Sequence, residues 1–171
     1  EAGALDQRFE VAVEGGPTRY RSAAEMRMFD GYLRADGSVG TRNYILVVPT
    51  VNCSATVVRM VGDRFRDISR EHDNIEGVVA ISHKSGCGMV AQGDDHRTLQ
   101  RVINGYANHP NVGATVIVSL GCEVNQPEPI VQLSLSAPPP AAPGERLPVV
   151  TIQRVGGTRK AVEAAVAEIA R

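Results

Sequence analysis

The sequence predicts an α/β fold: a Rossmann-like, mostly parallel sheet with helices on both faces, preceded by a β-hairpin. Three observations carry that expectation. Short apolar runs rich in β-branched residues recur at Ile45–Val48, Gly77–Ile81, Gly113–Leu120 and Leu147–Gln153, the pattern of strands buried on both faces. Each run gives way to a loop and then to apolar residues at helical spacing, so strand and helix alternate. Finally, aromatics make up only 4% of the chain and Trp is absent, which leaves a core of Val, Ile, Leu and Ala, as parallel sheets prefer.

In chain order, residues 1–28 read as a linker or extension, with a short strand at Phe9–Val13 and a brief helix at Ser22–Met26. Residues 29–171 read as the α/β domain. Phe29 to Tyr44 carries a hairpin pattern around the turn signal Ala35-Asp-Gly-Ser38. The first buried strand breaks at Pro49, and Ser54 is expected to cap the helix that follows. Val57, Val58, Val61, Phe65 and Ile68 form that helix's inner stripe, fading near Glu71–Asn74. The second strand, Gly77–Ile81, enters a glycine-rich loop, Ser82–Gly88. Asp94-Asp95 then mark the favoured acidic start of a helix with the stripe Leu99, Val102, Ile103 and Tyr106, stopped by His109-Pro110. A third strand ends at Gly121-Cys-Glu-Val-Asn-Gln126, and a short helix is expected over Pro129–Leu135. Residues 137–144 are too rich in proline for anything but a connection. A fourth strand, Leu147–Gln153, leads to a last helix opened by Gly156-Gly157 and packed through Val162, Ala165, Val166 and Ile169.

The 171 residues suit one domain plus some extension. A hydrophobic fraction of 43% and a charged fraction of 22% are ordinary for a globular protein. The net charge of -1 argues against nucleic-acid and membrane surfaces as partners. No apolar run reaches membrane-span length, and the N-terminal layout is not that of a secretory signal. Three cysteines do not make a disulfide framework and point to reduced thiols in a cytoplasmic protein.

Those thiols are the main functional signal. Cys53, Cys87 and Cys122 each follow a strand, at intervals of 34 and 35 residues (87 − 53 and 122 − 87), about one strand–helix unit. Parallel strands present their carboxyl ends along one edge, so the three are expected to converge there if their strands are neighbours. Each alone also fits a small buried hydrophobe. Together they suggest a metal: iron, as Fe2+ or as an iron–sulfur cluster with an open position, or zinc as the alternative. His83 is a candidate base or ligand, or a histidine bonded to loop backbone. Glu123 is a candidate acid, base or orienting group, or else a solvated carboxylate. Arg42 and Lys84 suit a substrate carboxylate, and Asn52, Asn125 and Gln126 suit a polyhydroxylated ligand. The helix starts at Ser54 and Gly156-Gly157 offer backbone N–H groups. Gly86 and Gly88 allow close backbone approach. His72, His96 and His109 read as incidental. Dinucleotide, Walker A and nucleophile-elbow patterns are missing.

Several segments in order, Gly31-Tyr-Leu-Arg-Ala-Asp-Gly-Ser-Val-Gly-Thr-Arg-Asn-Tyr44, Val51-Asn-Cys-Ser-Ala-Thr56, His83-Lys-Ser-Gly-Cys-Gly88, Gly121-Cys-Glu-Val-Asn-Gln126 and Thr151–Lys160, resemble the altronate/galactarate dehydratase family, to which sulfolactate dehydratase is related. The resemblance runs from about Phe29 to the C-terminus. It implies a hydro-lyase that removes water from a sugar acid to give a 2-keto-3-deoxy acid, dependent on iron. It also implies that this is the central α/β domain of a carbohydrate-metabolising enzyme, a homo-oligomer working with flanking domains or a partner subunit. On that reading Cys53, Cys87 and Cys122 hold iron, and His83 or a residue of another domain is the base. The alternative function is a non-catalytic metal-binding, structural or oligomerisation domain whose chemistry needs the missing domains.

Overall fold

The computed structural model describes residues 15–135 and 147–171. The strand expected at Phe9–Val13 and the proline-rich connection at 137–144 lie outside those residues. A 3-10 turn, Ala23–Glu25, stands where the first brief helix is expected.

The hairpin consists of β1 (Tyr32–Leu33) and β2 (Val39–Gly40), paired antiparallel. Asp36 shapes its turn by accepting from the Ser38 amide and hydroxyl. Arg34 ties it down by donating to the Pro110 carbonyl at 2.7 Å, while Asn111 Oδ1 accepts from the amides of Thr41 and Arg42.

Four strands follow: β3 (Tyr44–Pro49), β4 (Gly77–Ala80), β5 (Val112–Ser119) and β6 (Val149–Thr151). All pairings are parallel, in the order β4-β3-β5-β6. Alternate residues of a strand point to opposite faces, and this sheet buries both. On one face Val47, Val116, Val118 and Val150 pack with Val57, Val58 and Val61 of α1 (Ala55–Arg64). The same cluster takes in Ala161, Val162 and Ala165 of α6 (Thr158–Ile169). On the other face Leu46, Val48 and Ile117 pack with Ile103 and Ile130. Those two belong to α3 (Asp94–Ala107) and α4 (Pro127–Leu135). Full burial of each Val, Leu or Ile side chain among these stabilises by about 1.5–3 kcal/mol.

The expected class is therefore the observed one, with four local differences. The first helix stops at Arg64, and α2 (Ile68–Glu71) is a separate turn that still buries Ile68. β4 lies at the sheet edge, so Val79 is partly exposed where full burial is expected. The fourth strand has only three residues. Ile152–Val155 turns instead into a short helix, α5, closed by Gly156 at φ 90°, a left-handed cap that glycine tolerates. On α3 only Ile103 of the expected stripe is fully buried; Val102 and Tyr106 are each 49% exposed, because the stripe is wider than the sheet beneath it.

The chain passes from β3 outward to β4, then crosses back over the other face to β5 on the far side of β3. The strand order reverses between β3 and β5. Ligands of open parallel sheets gather outside the carboxyl ends at such a reversal.

Candidate functional site

β4, β3 and β5 are consecutive neighbours, and each is followed by a loop carrying one cysteine. After β3, a 3-10 turn, Asn52–Ser54, exposes Asn52 and Cys53 and buries Ser54. Ser54 occupies the cap position of α1, but its backbone is already helical (φ -87°, ψ -10°) and its hydroxyl does not cap. Its Oγ is instead buried with no hydrogen-bond partner. The expectation of a capping or ligand-facing serine is corrected accordingly.

The loop after β4 is held against the β3 tip and the loop after β5 by two backbone hydrogen bonds and one close contact. The Asn52 amide donates to the Ser85 carbonyl at 2.9 Å, the Asn125 amide donates to the Gly86 carbonyl at 3.0 Å, and Gly86 itself presses on Thr50 and Val51. A Cβ on Gly86 would lie 2.4 Å from the Thr50 carbonyl oxygen, and its φ of 104° is left-handed. Only glycine satisfies both demands. Gly88, by contrast, has open space around it.

The loop after β5 is organised by Glu123, which is 3% exposed. Its carboxylate accepts from Thr50 Oγ at 2.5 Å and from the Leu120 and Gly121 amides at 3.1 and 2.6 Å. Burial pushes its carboxyl up, but these hydrogen bonds outweigh burial and hold it below the usual carboxylate range. Of the roles open to Glu123 from the sequence, the geometry supports the orienting one; it is not a solvated carboxylate. Asn125 is fully buried and donates through Nδ2 to the Thr50 carbonyl at 2.8 Å, leaving Oδ1 unpartnered. Gln126 donates to the Glu123 carbonyl. Thr50, which sequence reasoning passed over, is therefore the junction of two of these loops.

Cys53 and Cys87 line a single cleft of about 590 Å³, with Asn52, Lys84, Thr98 and Leu99 among its walls. All three cysteines are free and exposed. Cys122 stands beside β6's continuation, where Gln153 Nε2 approaches its sulfur at 3.4 Å. Among the described residues, no three His, Cys, Asp or Glu groups are gathered closely enough to hold a metal ion. Three accessible thiols on one edge are donors of the kind that zinc and iron take; their side chains are not drawn together.

His83 faces Pro49 O through Nε2 at 2.9 Å and accepts the Ser85 amide at Nδ1 at 3.2 Å. Both ring nitrogens thus serve loop backbone, the plainer of its two expected roles. Arg42 does not join the group. It precedes β3 and sits near Glu76 (3.7 Å) on the amino edge, separated from the cysteine loops by a strand rising about 3.3 Å per residue. Its expected place beside the substrate is corrected for that reason. His96, read as incidental, is 7% exposed, with Nδ1 accepting from the Gln92 amide at 2.9 Å. No local sequence signal reveals that contact, because it depends on the left-handed backbone of Gln92.

These features define an α/β domain whose carboxyl edge bears a cleft of mixed polar and apolar lining that two of the thiols share. The chain belongs to the D-galactarate dehydratase/altronate hydrolase family, and residues 31–171 match that family's second domain. It is 38% identical over 95 residues to altronate dehydratase of Escherichia coli, covering 56% of this chain and 19% of that protein. It is 36% identical over 127 residues to galactarate dehydratase (L-threo-forming) of the same organism, covering 73% and 24%. With (2R)-sulfolactate sulfo-lyase subunit beta of Chromohalobacter salexigens the identity is 30% over 94 residues, covering 55% and 21%. The chain thus spans about a fifth of the length of these lyases. No solved structure matches it. Among the described residues no helix is long and apolar enough to cross a membrane.

Proposed function

We propose that this chain is the iron-binding α/β unit of a hydro-lyase that dehydrates a sugar acid such as altronate or galactarate. The observation that supports this most is the placement of three free thiols on loops after three adjacent parallel strands, two of them on one cleft. Cys53, Cys87 and Cys122 would hold the iron, which when bound supplies a Lewis acid for a departing hydroxyl. An assembled centre requires Cys122 to turn toward the cleft that the other two thiols share.

The reaction balances without a redox partner. The proton on the carbon next to the carboxylate is removed, and the hydroxyl on the following carbon leaves as water. The resulting enol becomes the 2-keto-3-deoxy acid by proton transfer. Lys84, exposed on the cleft wall, suits the substrate carboxylate and the negative charge that develops beside it. Asn52 lines the same wall and offers hydrogen bonds to substrate hydroxyls. The unpartnered Asn125 Oδ1 marks buried polar demand on the same edge, since such an atom costs roughly 1–3 kcal/mol when left unpaired. With His83 engaged at both nitrogens, the base comes from a flanking domain or a partner subunit. The chain's small share of its relatives' length accords with that division of labour. It also keeps a second reading in play, a metal-binding unit that is inert until those parts are present.

Anaerobic reconstitution with iron and sulfide tests the proposal. A broad visible absorbance that is lost in Cys53→Ala, Cys87→Ala or Cys122→Ala is expected, and protein that stays colourless and takes up no iron would overturn it. Turnover of altronate or galactarate by this chain alone would remove the second reading.

A further inference from the structure

The loop carrying Cys87 is fastened near each end by a histidine. At its start, His83 and the Ser85 and Gly86 carbonyls tie it to the β3 tip and to Asn125. At its far end the tie is His96, in the first turn of α3, whose Nδ1 accepts the Gln92 amide at 2.9 Å. Gln92 has φ 59°, the one non-glycine residue among those described in the left-handed region. That conformation costs an L-residue about 1–2 kcal/mol and persists only where its surroundings hold it. Here the holding groups are His96 and the Arg97 guanidinium, which donates to the Gln92 carbonyl and to Asp94 Oδ1.

A neutral imidazole accepting at Nδ1 carries its proton at Nε2; Nε2 lies 3.0 Å from Gln100 Nε2 one turn along, so the Gln100 amide must present its oxygen to that N–H for the pair to bond. The ring is thereby fixed between loop and helix. Cys87, Gly88 and Val90 are exposed along this stretch, which has two local backbone bonds, from the Met89 amide to the Cys87 carbonyl and from the Gly93 amide to the Val90 carbonyl. The reach of the Cys87 sulfur is therefore governed by where the anchors stand.

We propose that His96 is a positioning residue for Cys87: by accepting the Gln92 amide it fixes the far end of the loop, and so the presentation of the thiol to the cleft it shares with Cys53. This rests on the reading of the thiols as metal ligands. Cadmium, a thiol-seeking ion, serves as the probe on the full reduced chain without oxygen, followed by its ultraviolet thiolate band. Asparagine places an acceptor close to the position of Nδ1, and glutamine places one close to Nε2. His96→Asn is expected to retain the parent affinity, whereas His96→Gln and His96→Ala weaken cadmium binding about tenfold, the lower end for loss of a group behind a ligand. Equal binding by all variants, or an Asn variant as weak as the Ala variant, overturns the assignment. Parent protein that binds no cadmium defeats the metal reading instead. Hydrogen exchange over residues 86–93 then decides the latch on its own: faster exchange in the Ala and Gln variants but not the Asn variant upholds it, and unchanged exchange refutes it.

Discussion

Removal of the Glu123 carboxylate should cost more stability than almost any other change at the cysteine-bearing edge. Its two oxygens take the hydroxyl of fully buried Thr50 and the amides of Leu120 and Gly121. A hydrogen bond to a charged group contributes about 1.5–3 kcal/mol, and a buried donor left without a partner costs roughly 1–3 kcal/mol. Gly121 is exposed, so water can replace its partner; Thr50 has no such recourse. Glu123→Ala should therefore cost about 3 kcal/mol in all, once relief of the carboxylate's own burial is set against the lost bonds. Glu123→Gln keeps one acceptor and should cost about half as much. In a chain of this size, where 1 kcal/mol moves Tm by about 2–4 °C, the alanine variant should melt roughly 6–12 °C lower. Urea titration supplies the free energy, through a shifted midpoint at constant slope. Thr50→Val combined with Glu123→Gln should show a coupling of at least about 0.5 kcal/mol. Additive effects, or an alanine variant within about 0.5 kcal/mol of the parent, would refute the idea that this pair joins the first and third loops.

Other outcomes follow from the same geometry. Gly86→Ala should destabilise by at least about 1–3 kcal/mol, since it combines a left-handed φ with a 2.4 Å clash against backbone; a thermal melt checks it, and a neutral result would mean the loop stands off from β3. Cys53→Ser, Cys87→Ser and Cys122→Ser should each change stability by no more than about 0.5 kcal/mol, because all three thiols are exposed, while each abolishes iron uptake in elemental analysis. Arg42→Ala should leave iron uptake unaltered and cost less than about 1 kcal/mol, as expected of a 3.7 Å pair between exposed Arg42 and partly buried Glu76.

The sheet was legible in the sequence because β3 and β5 lie between two helical layers, so nearly every position must be apolar and the run shows as a run. β6 was overread. Leu147–Gln153 suits a strand locally, but its pairing with β5 ends at Thr151, and from Ile152 the chain turns into a short helix closed by Gly156 in a left-handed conformation. The three thiol loops were legible as strand tips, since parallel pairing alone sends them to one edge. Side-chain direction was not, and Cys122 beside Gln153 is the result. Arg42 was misplaced although it precedes β3 and therefore lies at that strand's amino end, opposite the loops that carry the cysteines. Thr50, Gln92 and His96 escaped because their partners are a buried carboxylate and a backbone amide, which leave no periodic trace.

The widths of the strands carry a last consequence. The inner strands β3 and β5 have six and eight residues, whereas the outermost, β4 and β6, have four and three. A tapering sheet offers little free backbone at its rims for a stray chain to zip onto. Copies of this domain can crowd together, or dock against larger partners, with slight risk of growing into one another through their margins.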